Sequence, residues 1–251
     1  MGEQLAHDDV GAGDPIVFLH GITANRHHWG PVVERLRGSH RCINVDLLGH
    51  GDSPDGPTVD LFAQVGALLQ LLESLDLRRP VLVGHSYGGF IATFAATAGT
   101  VRGVVNVDQT FDTGAFRTLI EPLADELRSD RFATTFERFL ATQRPDLVPA
   151  PHQELLHANM RPRQEVVMDV WGAVLDAPAE ELADQVEAVL PSVAAPYLGL
   201  FGAPLSAEEQ RLQSLIPQGE VEIWDGSGHF LHLVDPDRMA ARIAAFLATL
   251  P

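Results

Sequence analysis

Six short apolar runs constrain this chain more than any other feature. They are "PIVFLHG" (15–21), "RCINVDLLG" (41–49), "PVLVGHS" (80–86), "GVVNVD" (103–108), "PYLGLFG" (196–202) and "EVEIWDG" (220–226), each bounded by Gly, Pro or Asp. They are nearly continuously apolar rather than alternating, so strands built from them must be covered on both faces. Stretches with helical spacing lie between them. "VDLFAQVGALLQLLESL" (59–75) repeats leucine at that spacing, and "SYGGFIATFAATAG" (86–99) is rich in small residues that pack close to a sheet. "DPDRMAARIAAFLATL" (235–250) is amphipathic, with Asp235 as the expected N-cap and Pro236 at the first helical position. Such alternation predicts an α/β fold, a mostly parallel central sheet with helices on both faces. "GAGDP" (11–15) lacks the third glycine and the helix start of a dinucleotide site, and reads as a hairpin turn.

The rhythm breaks over 112–190. No good strand occurs there. Instead "TGAFRTLIEPLADELRS", "RFATTFERFLATQ", "PHQELLHANM", "RQEVVMDVWGAVLD" and "AEELADQVEAVL" read as helices, punctuated by prolines such as Pro122, Pro145, Pro162 and Pro178. The expected organisation is a core made of 1–111 and 191–251, with 112–190 as an all-helical cap over the C-terminal edge of the sheet.

Bulk properties narrow the function. A chain of 251 residues can bury one sizeable core. The net charge of −17 disfavours nucleic acid and anionic membranes, both of which would repel it. No window reaches the roughly 18 apolar residues of a membrane span, and the N-terminus lacks a signal-peptide pattern. A cytoplasmic location is therefore expected. Cys42 is the sole cysteine, so no intrachain disulfide can form, and it is expected to be a buried, inert thiol. Nothing in the sequence sets the oligomeric state.

Gly84-His85-Ser86-Tyr87-Gly88 matches G-x-S-x-G, after an apolar strand and before a small-residue helix. A sharp strand-to-helix turn there would hold Ser86 in a strained conformation, exposing its hydroxyl at a helix N-terminus that favours developing negative charge. Three further motifs follow the same order as in a known family. They are "FLHGIT" (18–23), "DLLGHGDS" (46–53) and "GSGHF" (226–230), the last followed by Asp235-Pro236. Over nearly its whole length the chain thus resembles the α/β-hydrolase fold superfamily.

The resemblance implies Ser86 as nucleophile, His229 as its base, and the backbone N–H groups of Ile22 and Tyr87 as oxyanion hole. His232 is expected to be structural, and His20, His50 and His85 to shape loops, while His27 and His28 are expected to be packed or solvated, with lining of the pocket mouth as the alternative. No histidine pair has a third ligand at metal-site spacing, so neither metal nor cofactor is expected. The commonest family layout places the acid in a G-x-x-D turn after the strand that follows the cap. That turn here is Gly202-Ala203-Pro204-Leu205, with leucine at the acid position. Some members carry the acid one strand earlier, where Asp108 stands. Asp108 is therefore the expected triad acid, with Glu208 or Glu209 as alternatives. Ser206 and Glu209 by themselves read as a capping box. Asp46 and Asp52 are expected to be structural.

These expectations describe a serine hydrolase acting on an ester, lactone or related carbonyl of a small to medium-sized hydrophobic molecule. His20, Phe111, Trp171 and Phe230 are candidate pocket residues. Two alternatives stay open. One is carbon–carbon bond hydrolysis, lyase or cofactor-free dioxygenase chemistry with the histidine–aspartate pair as base. The other is a ligand-binding protein without catalysis.

Overall fold

The computed structural model describes residues 4–251. Seven strands form one sheet: β1 (His7–Gly11), β2 (Pro15–Leu19), β3 (Arg41–Val45), β4 (Val81–His85), β5 (Gly103–Val107), β6 (Tyr197–Phe201) and β7 (Gly219–Ile223), in the order β1-β3-β2-β4-β5-β6-β7. β1 runs antiparallel to β3, and every other pairing is parallel. The central strands β4, β5 and β6 are buried throughout, as their unbroken apolar runs require.

The six expected strands all form. β1 was not among them, because "HDDVG" carries no apolar run. Paired along one side only, it needs no apolar cover on both faces. The expected hairpin at "GAGDP" does not form, because β3 lies between the two strands that this turn connects. Gly11 instead has a φ of 81°, and a Cβ there would sit 2.2 Å from the His40 carbonyl oxygen. Only glycine fits where the chain leaves β1 across the start of β3.

Helices cover both faces. α1 (Gly30–Leu36) and α12 (Pro236–Leu247) supply Val32, Val33, Met239 and Ile243, which pack with Trp29 against Ile16, Phe18, Val83 and Val105. On the opposite face α2 (Leu61–Ser74) and α3 (Tyr87–Ala96) place Leu68, Leu71, Ile91 and Ala92 against Val17, Leu19, Leu82 and Val104. Alternate residues of one strand thus feed opposite layers, each large apolar side chain contributing about 1.5–3 kcal/mol by burial. Asp60 caps α2 by accepting the Ala63 N–H at 2.9 Å, and Asp235 caps α12 by accepting that of Arg238 at 2.9 Å. Cys42 is fully buried in β3, and its thiol pKa is pushed up to about 12, first by burial.

Between β5 and β6 run α4 (Thr113–Ile120), α5 (Ala124–Leu127), α6 (Phe132–Thr142), α7 (Ala150–Ala158), α8 (Gln164–Asp176) and α9 (Ala179–Val189). The first expected helix is split at Pro122, which lies in a 3-10 turn between α4 and α5. Ile120, Phe132, Phe136, Val167 and Trp171 give this segment an apolar cluster of its own. Two short helices follow later, α10 (Ala207–Gln213) and α11 (Leu231–Val234). Among the described residues no helix is long and apolar enough to cross a membrane.

Candidate active site

Ser86 joins β4 to α3 with φ 50° and ψ −127°, a conformation that costs a non-glycine residue on the order of 1–3 kcal/mol. Its surroundings hold it there. The Ser86 N–H donates to the Val107 carbonyl at 2.9 Å, and the Ser86 carbonyl accepts from Gly89 N–H at 2.6 Å. The motif's glycines are sterically required. A Cβ on Gly84 would lie 2.1 Å from the Gly88 carbonyl oxygen, and one on Gly88 would lie 2.4 Å from that of Leu19. Gly21 abuts the same turn, since a Cβ there would come within 3.2 Å of the Ser86 Cβ. Ile22 and Tyr87 line the cavity beside Ser86, and neither backbone N–H has an acceptor among the described residues.

Asp108 occupies the corresponding place one strand over, at the end of β5. Its Oδ2 lies 2.7 Å from His229 Nδ1, and its Oδ1 accepts the Gly202 N–H at 2.8 Å. A carboxylate only accepts, so His229 Nδ1 carries the hydrogen and Nε2 keeps a lone pair able to take a proton. The His229 loop is held from two sides. His85 Nε2 donates to the His229 carbonyl at 2.9 Å, and the His229 N–H donates to the Gln143 carbonyl at 3.3 Å, just past α6. The two competing carboxylates are engaged elsewhere. Glu208 pairs with Arg211 at 2.7 Å, and Glu209 is buried against the turn after Asp108.

Ser86, His229 and Asp108 line one cavity of about 420 Å³. Its walls join residues from the sheet edge to Phe116 of α4, Phe136 and Phe139 of α6, and Trp171 of α8. Trp171 and Phe230 line the cavity, but His20 and Phe111 do not. His20 is fully buried, donating from Nδ1 to the Gly21 carbonyl at 2.7 Å and accepting the Leu47 N–H on Nε2 at 3.0 Å. Phe111 turns into the core, 5.7 Å from the Phe90 ring. His28 was expected to be packed or solvated, with lining of the pocket mouth as the alternative. It is packed, and it also borders the cavity. His232 is fully buried against Trp29 and His85.

Residues 16–242 match the model of the Alpha/beta hydrolase family. The chain belongs to this family. It is 28% identical over 245 residues to a 2-succinyl-6-hydroxy-2,4-cyclohexadiene-1-carboxylate synthase of Serratia proteamaculans strain 568, covering 92% of each chain. It is 29% identical over 262 residues to a pimeloyl-[acyl-carrier protein] methyl ester esterase of Xylella fastidiosa strain M12, covering 96% of this chain and 98% of the relative. A hydrolase from Pseudomonas aeruginosa PA01 superposes with a TM-score of 0.80 at 22% identity, over 98% of this chain and 94% of that one.

Two supports of this α/β-hydrolase site escaped the sequence. Glu209 sits in the expected capping box, and its N–H does donate to Ser206 Oγ at 3.0 Å. Its side chain does not turn back to Ser206. One oxygen accepts the N–H groups of Phe111 at 2.7 Å and Asp112 at 2.9 Å, and the other accepts Gln213 Nε2 at 2.7 Å. Burial, outweighing these bonds, raises its pKa. Gly202 is the second. A Cβ there would lie 1.9 Å from the Gly228 carbonyl oxygen, so only glycine lets the β6 loop reach both Asp108 and the His229 loop. A glycine after an apolar run was the only sequence signal for it. The "DLLGHGDS" turn is built as expected. Asp46 accepts the N–H groups of Arg26 at 2.7 Å and Asp52 at 2.9 Å, and Gly51 leaves room for that carboxylate.

Proposed function

We propose that this protein is a serine hydrolase that cleaves an ester, lactone or related carbonyl of a small to medium-sized hydrophobic substrate. The observation that carries it is the 2.7 Å contact between His229 Nδ1 and Asp108 Oδ2, lining the same cavity as the strained Ser86. In this reading Ser86 Oγ attacks the carbonyl carbon while His229 Nε2 takes the hydroxyl proton. The N–H groups of Ile22 and Tyr87 receive the oxyanion, and Asp108 steadies the imidazolium. His229 then protonates the leaving oxygen. Water, deprotonated by His229, resolves the acyl-enzyme and restores Ser86. The segment 112–190 acts as a cap that supplies the apolar wall. A cavity of about 420 Å³ with aromatic walls suits a compact apolar substrate, and the esterase relative of Xylella fastidiosa supports the assignment.

A second reading rests on the similarity to the Serratia proteamaculans synthase. In it the His229–Asp108 pair removes a proton from the substrate, and Ser86 binds rather than forming an acyl intermediate. A panel of p-nitrophenyl esters and lactones, run on the wild type and on Ser86→Ala, separates the two. Ester or lactone turnover that disappears in Ser86→Ala is the expected result. Turnover that is only weakened by the substitution assigns the second reading.

A further inference from the structure

The cavity's charged equipment is one-sided. The chain contains no lysine, and none of its 17 arginines lines the cavity. Besides Asp108, three aspartates do line it: Asp60, Asp112 and Asp169. Each is already held by local donors on one oxygen. Asp60 Oδ1 accepts the Ala63 N–H at 2.9 Å, Asp112 Oδ1 accepts that of Ala115 at 2.8 Å, and Asp169 Oδ2 accepts the Thr58 hydroxyl at 2.7 Å. None of the three forms an ion pair with a described residue. The Tyr87 hydroxyl donates to the Val59 carbonyl at 3.2 Å, and the Val59 N–H donates to Asp169 Oδ2. Burial pushes that hydroxyl's pKa upward, and the Asp60 and Asp169 carboxylates push it further.

Two buried histidines that border the cavity add no charge to it. His28 is 1% exposed and His85 is 2% exposed, and both line the cavity. His28 Nε2 donates to the Leu156 carbonyl at 3.3 Å, and His85 Nε2 donates to that of His229 at 2.9 Å. In each ring Nδ1 is therefore the lone-pair nitrogen, and in each it has no partner among the described residues. Burial above all lowers the pKa of both histidines and keeps them neutral. The cavity wall thus holds four carboxylates and no cationic side chain, set among Phe116, Phe136, Phe139 and Trp171.

We propose that this cavity selects its substrate by charge, accepting apolar esters or lactones that carry an ammonium or other hydrogen-bond-donor group and rejecting those that carry a carboxylate or phosphate. The proposal rests on the hydrolase reading for its chemistry, but the charge selection itself concerns binding. Unpaired carboxylates in the cavity wall repel an anion, and no cationic side chain offsets that repulsion, whereas an ammonium satisfies them.

The test uses three p-nitrophenyl esters of equal chain length: heptanoate, 6-(trimethylammonio)hexanoate, and the adipate monoester. Expected kcat/KM values fall in the order ammonium, neutral, carboxylate, with about 30-fold or more between the first and last. Asn retains each aspartate's cap or hydrogen-bond acceptor while removing its charge. The triple variant Asp60→Asn/Asp112→Asn/Asp169→Asn should therefore fold and bring the charged esters within about threefold of each other. Calorimetric binding of hexyltrimethylammonium and of heptanoate to Ser86→Ala reads the same selection without turnover. Esters hydrolysed with no charge order, or an order that the triple variant leaves unchanged, overturn the charge proposal and leave the hydrolase reading intact. No turnover of any ester, together with cation-selective binding that the triple variant abolishes, overturns the hydrolase reading and upholds the charge proposal.

Discussion

Ser86 and Asp108 stand side by side at the ends of β4 and β5, and both hold a positive φ, 50° and 57° respectively. The Ser86 N–H is bonded to the carbonyl of Val107, the residue before Asp108, and the Asp108 N–H is bonded to the carbonyl of Leu200 on β6. Two adjacent strands therefore each end in a non-glycine residue of positive φ, and each brings a polar side chain to the shared edge. Strain at two neighbouring non-glycine positions persists only where the surroundings over-determine it.

Asp108→Asn tests the proposed acid. Asparagine keeps an oxygen for the Gly202 N–H, so the melting temperature should change little. Its amide cannot hold His229 in the tautomer that leaves Nε2 free. Steady-state kinetics should show kcat down by roughly 10³–10⁴-fold. Near-full activity in this variant would remove Asp108 from the mechanism.

Ser86→Gly should be more stable than the wild type by about 1 kcal/mol, because the strain that glycine relieves at this positive φ exceeds its larger cost in chain entropy. Ser86→Ala keeps the Cβ and should show no such gain. Urea unfolding of the two variants compares them directly, and neither should turn over an ester.

Glu209→Ala leaves three buried donors, on Phe111, Asp112 and Gln213, without an acceptor. A loss of about 3 kcal/mol or more is expected in chemical denaturation. Glu209→Gln keeps one acceptor oxygen and should lose less. Because this carboxylate does not line the cavity, KM in the Gln variant should stay near that of the wild type.

Acid should unfold this protein steeply. Burial, first among the causes, lowers His28 to about 4 and holds His20, His85 and His232 well below the ordinary value of 6.5. Above pH 6.5 these rings are neutral in both folded and unfolded chains, and stability is at its full value. As pH falls toward 4 the unfolded chain takes up protons that the native state refuses. Each ring then subtracts about 1.4 kcal/mol per pH unit, or about 5.5 kcal/mol per unit for the four. Urea midpoints between pH 7 and 5 should fall accordingly. His232, packed 4.6 Å from the Trp29 ring with neither ring nitrogen bonded, can be replaced by phenylalanine, which should flatten the slope.

Sequence by itself determined the elements, because their signals are local. Unbroken apolar runs required strands covered on both faces, helical spacing marked the segments between them, and the G-x-S-x-G spacing announced a turn that only glycines at 84 and 88 allow. The order of four motifs brought Ser86 and His229 forward as candidates, and the leucine at 205 turned attention to Asp108. Tertiary structure alone decided the rest, because it depends on contacts between residues far apart in the chain. β1 is too polar to show itself until it pairs with β3. Phe111 and His20 look like pocket residues in one dimension but turn into the core, while His28 and Asp169 arrive at the cavity from distant segments. Glu209, 98 residues from Phe111, braces the turn after Asp108, and Gly202 donates to Asp108 from 94 residues away. Local sequence carries torsional and periodic preferences. Which buried acceptor meets which donor is set only when the sheet and the helices close around them.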